Sequence, residues 1–331
     1  MYINDNKKKV SIVIPVRNEE SHMKTCIESI LDQNFPNEQL EVIFVDGNSC
    51  DGTKNIINDY IKKYPDLIRL LNNPQKTVPF AMNIGIRNSM GEYIVRLDAH
   101  SEYPNNYISE CIKTIESIKA DNVGGLAFTK GKGIIGSAFA KVLSSKFGVG
   151  NSGFRTNAKS GYVDTVPFGT YKKETFEKYG YYDERLVRNQ DYELNYRIRK
   201  MGGKIYLNSN ISLTYFCRST LTGIYKQSYE NGKWNIITSK LSSGTMSIRH
   251  FIPLIFVLSL IALPILGLMH PFFNLVLWSE LVLYFGIAMT MALKSTNNIK
   301  ELPLLIFLFP FFHVSYGIGS LAGMFNFKNN L

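Results

Sequence analysis

The chain is poor in cysteine, and its four cysteines are widely separated. Cys26, Cys50, Cys111 and Cys217 form no CxxC pair. Structural zinc sites and disulfide frameworks depend on close, repeated cysteine spacings, so the sequence argues against both. The pattern fits a protein of a reducing compartment.

Charge is scarce in the last quarter of the chain. From residue 251 onward the net charge is only +1, so the first 250 residues carry +9 of the formal +10. A basic part joined to an apolar tail indicates anionic partners, namely membrane headgroups, a diphosphate or nucleic acid. The sequence has no Arg-rich helix, zinc-finger spacing or aromatic RNA-binding signature, so we predict no nucleic-acid partner. The charged residues of the tail are Glu280, Lys294, Lys300, Glu301 and Lys328.

An apolar leader is missing at the N-terminus, where MYINDNKKKV is polar and runs directly into a strand-like segment. We therefore expect the first domain to stay in the cytosol. Long apolar runs occupy residues 251–269, 271–293 and 302–327 instead. Because about 20 residues cross a bilayer, we predict a C-terminal membrane region of about three transmembrane or re-entrant helices. Three buried core helices are the alternative, and Pro264 would allow the first two runs to form a re-entrant hairpin.

The distribution of lysine predicts the orientation of this tail. The loop 294–301 contains Lys294 and Lys300, whereas the connection at His270 and Pro271 contains no Lys or Arg. Positive charge favours the cytoplasmic side. We therefore predict a multi-pass protein of the inner cell membrane, with the first domain facing the cytoplasm and the C-terminus outside. Lys328 counts against this orientation.

Strand and helix patterns alternate along the first 130 residues, which predicts an α/β fold with a mostly parallel, Rossmann-like sheet and flanking helices. Ser21 is a candidate cap for the first helix. Ligands bind such sheets beyond the carboxyl ends of the strands, and Asp46 and Asp98 both fall at that edge. The predicted strands are 10–16, 41–46, 67–72 and 92–98, with helices near 56–61 and 78–88.

The second part of the chain is less regular. Residues 124–160 are rich in Gly, Ser and Lys, which predicts mobile loops around a short helix. A strand and a helix start follow in 164–176, then a helix at 189–203 and a short strand, KIYLN. Residues 221–241 are predicted to lie at a membrane surface as a basic amphipathic segment. We divide the chain into a domain at 1–220, an interfacial segment at 221–250 and a membrane region at 251–331.

Two polar clusters follow the first two strands. Asn18 and Glu19 lie in PVRNEE, and Asp46 begins VDGNSCDGT, a turn into a helix. Backbone N–H groups at such a helix start can meet a polar ligand, while Asp46 can accept a hydrogen bond from a base or ribose. Asp51 and Thr53 are better explained as helix caps.

A third cluster, Asp98 and His100, ends the strand-like segment IVRLDAH. A cation that holds substrate phosphates usually takes one or two protein carboxylates, and manganese accepts imidazole. A turn is the alternative explanation for this triplet. Asp191, at the start of the 189–203 helix, lies on its inward face and is either a cap or a general base. Glu193 and Arg197 are predicted to form a surface ion pair.

Together these clusters resemble the family 2 glycosyltransferases of the GT-A fold. The resemblance is to the membrane-anchored branch that builds bacterial exopolysaccharides, including succinoglycan-type enzymes. It rests on SIVIPVRNEE, VDGNSCDGT, PFAMNIGIRNSMGEYIVRLDAH, GYYDERLVRNQDYELNYRIRKMGG and HVSYGIGSLAG, which occur in the expected order from residue 10 to about residue 325.

The resemblance implies a nucleotide-sugar donor, expected to be a UDP-sugar, a divalent metal (Mn²⁺ or Mg²⁺) and an inverting mechanism. The metal motif falls on Asp98 and His100, and the catalytic base falls on Asp191. His100 stands where the family has a second aspartate, and Gln190 stands where it has a glutamate. The nucleotide-sugar site implied by the resemblance comprises Pro15, Asn18, Glu19, Asp46, Asn83 and Asp98.

The chemistry agrees with this set of residues. A nucleoside diphosphate is a good leaving group once a metal neutralises its charge, so one carboxylate suffices to deprotonate the acceptor hydroxyl. We expect a lipid-linked or glycan acceptor in cell-surface polysaccharide biosynthesis. A polyprenyl-phosphate transferase, a processive synthase and a non-catalytic membrane scaffold are the alternatives. A processive synthase would carry a QxxRW motif, but in KQSYENGKW the spacing of Gln227 and Trp234 differs and the arginine is absent. In the tail, packing is the simpler explanation for His313 and Tyr316.

Overall fold

The computed structural model describes residues 8–325. The chain packs as two compact units. Unit 1 consists of Met1–Phe128 and Asn157–Tyr215, and unit 2 consists of Thr129–Thr156 and Phe216–Leu331. The segment 129–156, which the sequence suggested was part of the first domain, thus groups with the C-terminal helices. Residues 1–7 and Lys328 lie outside the described residues.

The first half of unit 1 alternates strands and helices as predicted. Strand β1 pairs in parallel with β2 and with β4, and β2 pairs in parallel with β3. The prediction that Ser21 caps the first helix is wrong, because α1 begins at Glu20 and Ser21 therefore lies inside it. The elements are β1 (Val10–Val16), α1 (Glu20–Leu31), β2 (Leu40–Asp46), α2 (Thr53–Lys63), β3 (Ile68–Asn72), α3 (Val78–Arg87) and β4 (Tyr93–Arg96).

The later strands run antiparallel, so the sheet is mixed. β4 pairs with β8, β8 with β6, and β5 and β7 both pair with β9. The strand order is β3-β2-β1-β4-β8-β6-β9-β5. The remaining elements up to residue 216 are β5 (Ser101–Glu102), α4 (Tyr107–Ile118), β6 (Asn122–Lys130), α5 (Gly133–Leu143), α6 (Lys146–Val149), β7 (Gly161–Tyr162), β8 (Thr170–Lys172), α7 (Glu174–Tyr179), α8 (Gln190–Lys200) and β9 (Ile205–Phe216).

The predicted mobile loops at 124–160 are wrong for much of that stretch. It contains most of the nine-residue strand β6, and the 11-residue helix α5. The glycines that suggested loops serve close packing, since a Cβ at Gly125 would overlap the backbone of Ile211 in β9. The predicted short strand KIYLN is likewise the start of the 12-residue strand β9.

Unit 2 is helical. After α5 and α6 it contains α9 (Leu221–Leu241), α10 (Ile252–Gly267), α11 (Pro271–Ser295) and α12 (Leu302–Phe325). Two stretches among the described residues are long and apolar enough to cross a membrane, Pro271–Ser295 and Ile299–Phe325, each with a mean hydropathy of 1.7. Helix α10 has only 16 residues. The apolar runs predicted from the sequence are therefore helices of unequal length.

Helix α9 packs along α12 through glycines of both helices. A Cβ at Gly232 would overlap the Tyr316 carbonyl, and one at Gly319 would overlap the Tyr229 carbonyl. Ile236 lies on this side as well, since a Cβ at Gly323 of α12 would meet its Cβ at 3.0 Å. The position of α9 at a membrane surface stays a prediction, but one face of the helix is covered by protein.

Candidate active site

Three side chains meet beyond the carboxyl ends of β1 and β4. The Nδ1 atom of His100 lies 2.9 Å from Asp98 Oδ1 and 3.5 Å from Glu19 Oε1. The second carboxylate oxygen of Glu19 lies 3.4 Å from Nδ1 of His22. The ring of His100 also packs against Tyr215, with 5.8 Å between the centroids. The structure thus brings together three residues predicted from two separate motifs, and it adds His22 and Tyr215.

Asp98 and His100 shift each other's pKa in opposite directions. Burial alone would lower the pKa of His100, but the Asp98 carboxylate and a hydrogen bond to Glu19 raise this pKa to about 11. Burial would raise the pKa of Asp98, but His100 and then Arg96 hold it below its ordinary value. Both groups are therefore charged at neutral pH.

Asp191, the predicted base, lies at the start of α8 and faces Arg96. The distance from Arg96 Nη1 to Asp191 Oδ2 is 3.4 Å. The Arg96 side chain is only 9% exposed, whereas that of Asp191 is 27% exposed. Arg96 interacts electrostatically with both Asp191 and Asp98, so its charge couples the predicted base to the predicted metal corner. The guanidinium also lies 5.8 Å from the centroid of the Phe168 ring.

Two buried polar atoms beside Asp191 have no hydrogen-bond partner. They are Nε of Arg96 and Oε1 of Gln190, the residue that precedes Asp191. Unsatisfied buried polar atoms are uncommon in folded proteins, and a bound ligand or water can satisfy them. The sequence carried a signal for Arg96 that the motif analysis did not use, namely a charged residue inside an otherwise apolar buried strand.

Asp46 ends β2 and is almost completely buried, with 1% of its side chain exposed. Lys54 Nζ lies 3.1 Å from Asp46 Oδ2, and the Ser49 backbone N–H donates to the same carboxylate at 3.1 Å. Asn18, at a φ of +55°, accepts a hydrogen bond from the Cys50 N–H at 2.9 Å. Asp46 and Asn18 therefore hold the turn between β2 and α2. Lys54 is a cation at this position that the motif analysis missed.

Pro15 lies in β1 opposite Val45 of β2, so its position is set by the sheet register. Asn83 is 2% exposed and holds the segment at residues 182–184. Its Oδ1 accepts from the Tyr182 N–H at 3.0 Å, and its Nδ2 donates to the Tyr182 carbonyl and to Glu184, both at 2.9 Å. A contact of Asn83 or Pro15 with the donor stays a prediction, and the geometry gives Asn83 a positioning role.

Two interpretations of local charge have different outcomes. Asp51 accepts hydrogen bonds from the backbone and hydroxyl of Thr53 at the start of α2, which agrees with its predicted capping role, whereas Thr53 is itself the first residue of the helix and the cap position is Gly52. The ion pair predicted for Glu193 and Arg197 forms, with 2.8 Å between Arg197 Nε and Glu193 Oε1, but its predicted surface position is wrong, because Glu193 is buried. Arg197 also donates to the carbonyls of Tyr179 and Tyr181, so this pair fixes the loop after α7. Helical spacing alone could not show that this loop covers the pair.

The donor atoms at the Asp98 corner fit a metal that arrives with phosphate. Among residues 8–325, no three or more His, Cys, Asp or Glu side chains are arranged to hold a metal ion by themselves. The carboxylates of Glu19 and Asp98 instead both face Nδ1 of His100. Asp98 suits Mn²⁺ or Mg²⁺ when substrate phosphates and water supply the other ligands, and the imidazole of His100 can join Mn²⁺ only after it loses its proton.

Comparison with known proteins identifies the family. The family model described as "Glycosyl transferase family 2" matches residues 11–180, which is half of the chain. The chain belongs to glycosyltransferase family 2. The matched region contains β1 to β8 and the Asp98 corner, whereas Asp191 lies just beyond it.

Relatives of this family match over much longer stretches. The chain is 28% identical over 96% of its length to a dolichyl N-acetyl-α-D-glucosaminyl phosphate 3-β-D-2,3-diacetamido-2,3-dideoxy-β-D-glucuronosyltransferase of Methanococcus voltae, covering 99% of that protein. It is 29% identical over 73% of its length to the succinoglycan biosynthesis protein ExoA of Rhizobium meliloti, covering 74% of that protein. The predicted membership of family 2 is confirmed.

Solved structures show the same fold. A mannosyltransferase of Pyrobaculum calidifontis, determined with GDP-mannose and Mn²⁺, superposes with a TM-score of 0.61 at 15% identity, covering 96% of this chain and 87% of that one. GalNAc-T7, determined with UDP, GalNAc and Mn²⁺, gives a TM-score of 0.51 at 18% identity, covering 74% of this chain and 52% of that one. These likenesses confirm the predicted GT-A fold of this family 2 member.

Proposed function

We propose that this glycosyltransferase transfers a sugar, with inversion, from a UDP-sugar to a lipid-linked acceptor with the help of a divalent metal. The observation that carries the proposal is that Arg96 contacts Asp191 at 3.4 Å and interacts electrostatically with Asp98. One partly exposed carboxylate, Asp191, is thereby coupled to a corner whose charged side chains suit a diphosphate and its metal. The tail supports attachment to the inner membrane, with unit 1 on the cytoplasmic side.

The reaction follows from these groups. Asp191 accepts the proton of the acceptor hydroxyl as the hydroxyl oxygen attacks the anomeric carbon. The bond from that carbon to the diphosphate oxygen breaks, and the nucleoside diphosphate leaves with the electron pair. A metal bound by Asp98, and by His100 once its imidazole has lost a proton, would neutralise the charge that develops on the diphosphate. Arg96 orients Asp191 and keeps a positive charge beside both carboxylates.

A single displacement needs only one base, because the leaving group requires no protonation by the protein. This agrees with Asp191 as the one candidate base beside the corner. Attack from the face opposite the leaving diphosphate inverts the anomeric centre. An α-linked donor therefore gives a β-linked product.

The choice of a lipid-linked acceptor rests on two observations. The Methanococcus voltae relative is named for a dolichyl-phosphate-linked acceptor, and the match covers 99% of that protein. The apolar helices α10 and α11 would hold unit 1 close to such a lipid. The name of the Rhizobium meliloti relative supports a role in polysaccharide biosynthesis.

A donor panel tests the proposal. Detergent-purified protein is incubated with UDP- and GDP-sugars and lipid extract from the host membranes, with Mn²⁺ or with a chelator. We expect one UDP-sugar to be consumed with Mn²⁺, with label appearing in the lipid phase. The proposal is wrong if no donor is consumed under any condition, and its metal component is wrong if the chelator has no effect.

A further inference from the structure

The helices α10 and α11 form an antiparallel hairpin, and the first turns of α10 pack on α12, where Pro253 and Val257 lie against Gly317. Phe256 stacks on Tyr284 with 4.5 Å between the ring centroids, and Ser259 donates to Glu280 at 2.7 Å. Near the tip, Asn274 donates to the Gly267 carbonyl at 3.2 Å. These contacts fix the two helices to each other.

The outer surface of this hairpin is apolar and exposed. Exposure reaches 89% at Leu268, 65% at Trp278 and 72% at Val282. Only 11% of the most apolar window of α11 is buried, compared with 50% for the stretch that contains α12. A large exposed apolar surface of this kind marks a site that binds another protein or a membrane.

The hairpin is short for a bilayer. Ala288 and Ala292 are fully buried inside unit 2, so only the first part of α11, roughly to Phe285, projects with α10. Helix α10 has 16 residues. At 1.5 Å per residue that is about 24 Å, which is less than the hydrocarbon thickness of about 30 Å.

Helix α12 has different surroundings. Buried residues recur along it from Leu305 to Gly323. Its later half lies beside α9, where a Cβ at Gly323 would meet the Lys233 carbonyl, and Lys240 Nζ donates to the Met324 carbonyl at 2.9 Å. If α12 crossed the bilayer, α9 would be taken to membrane depth with its four charged residues, which is strongly unfavourable. Those four are Lys226, Glu230, Lys233 and Lys240.

Unit 2 has an excess of basic residues, and two of them lie at the ends of the hairpin. Unit 2 contains thirteen Lys and Arg but three Asp and Glu, so it carries a net charge of +10. Arg249 and Lys294 lie at the two chain ends of the hairpin, and between them the only acidic or basic side chains apart from histidine belong to Glu280. Anionic headgroups attract such basic residues at a membrane surface.

We infer that the α10–α11 hairpin inserts into one leaflet of an anionic membrane without crossing it, and that α12 is a core helix of unit 2 that does not cross either. Both ends of the chain then lie on the same side of the membrane. The acyl chains of that leaflet then cover the exposed apolar surface of the hairpin.

The two tryptophans give a depth measurement with a matched control. Trp234→Phe leaves Trp278 on the hairpin, and Trp278→Phe leaves Trp234, which is buried in unit 2. The full chain is reconstituted in phosphatidylglycerol–phosphatidylcholine vesicles with brominated acyl chains. We expect quenching of Trp278 and little of Trp234. Equal quenching of the two, or quenching of neither, overturns the inference.

Thiol labelling in sealed vesicles separates insertion from crossing. Cys50 is the exposed native cysteine of unit 1, while the other three are buried, so it marks the side of unit 1. In a Cys50→Ser background, His270→Cys tests the tip, and a cysteine added after Leu331 tests the C-terminus. We expect the tip to resist an impermeant maleimide from both sides, and the C-terminal cysteine to react on the side marked by Cys50. Labelling of the tip from the opposite side, or of the C-terminus there, contradicts the inference.

Discussion

The two units of this chain differ in their balance of acidic and basic residues. Unit 1 contains twenty-four basic and twenty-four acidic residues, whereas unit 2 carries the whole net charge of +10. Several charges of unit 1 are buried and paired, as in Arg96 with Asp191 and Lys54 with Asp46. Buried charges are costly unless they are paired, so they remain where geometry or chemistry requires them.

The excess charge of unit 2 has another use. Its basic residues accompany exposed apolar helices, and few acidic residues balance them. This combination suits a membrane surface, whereas the paired charges of unit 1 suit a substrate site. Variants of unit 1 should therefore change catalysis while leaving membrane extraction unchanged.

The largest effect is expected from Asp191→Asn. Loss of a general base lowers turnover by at least ~100-fold, while donor affinity is kept because the base acts on the acceptor. Turnover and donor binding are measured on the same preparation, with Asp59→Asn, an exposed acid on α2, as the matched control. Near-normal turnover of the Asp191 variant would remove it as the base.

Asp98→Ala should act on the donor instead. Removing the carboxylate should weaken donor binding in the presence of Mn²⁺ by roughly 10- to 100-fold, the usual scale for loss of a metal-site group. Titration calorimetry with Mn²⁺ and with a chelator measures this. If the affinity is the same as in the unchanged protein under both conditions, the metal corner is assigned incorrectly.

Arg96→Met should lower turnover by about tenfold or more, because a hydrogen bond to a charged group contributes about 1.5–3 kcal/mol. Arg96→Lys should restore part of it. Arg197→Met is the matched control, since Arg197 is a paired cation that holds loop carbonyls. We expect this control to lower the melting temperature and to leave the turnover number nearly unchanged. If Arg96→Met and Arg197→Met lose the same fraction of turnover, Arg96 has only a structural role.

The smallest effect is the pH dependence of stability at the Asp98–His100 pair. Because the pKa of His100 is raised from 6.5 to about 11, its contribution is complete below pH 6.5 and is lost as the pH rises towards 11. The lowered pKa of Asp98 adds stability that disappears as the pH falls below its ordinary value of 3.8. With a chelator present, His100→Gln should thus destabilise more at pH 5.5 than at pH 9.5. Equal shifts in the urea midpoint would contradict this pairing.

How far the sequence predicts the structure also differs between the units. The strands that carry Asp46 and Asp98 are short apolar runs with acids at their ends, and they form at the predicted positions. The helix that begins beside Asp191 is marked by its spacing and two terminal glycines. The link through Arg96 depends on the meeting of β4 and α8, which no local pattern encodes.

Unit 2 was harder to predict because its packing depends on glycine. In 124–160 and in α12, glycines permit close approach of backbones, but in a sequence they suggest loops or flexible helices. Composition also describes α11 and α12 as equally apolar, although one is exposed and the other is half-buried. Only tertiary contacts separate these cases.

The configuration of the product tests the central claim most directly. An α-linked donor is supplied, and the new glycosidic bond is assigned by proton NMR from its anomeric coupling. A single displacement with Asp191 as the base predicts a β-linked product. An α-linked product would contradict it, because retention requires two successive displacements instead of one.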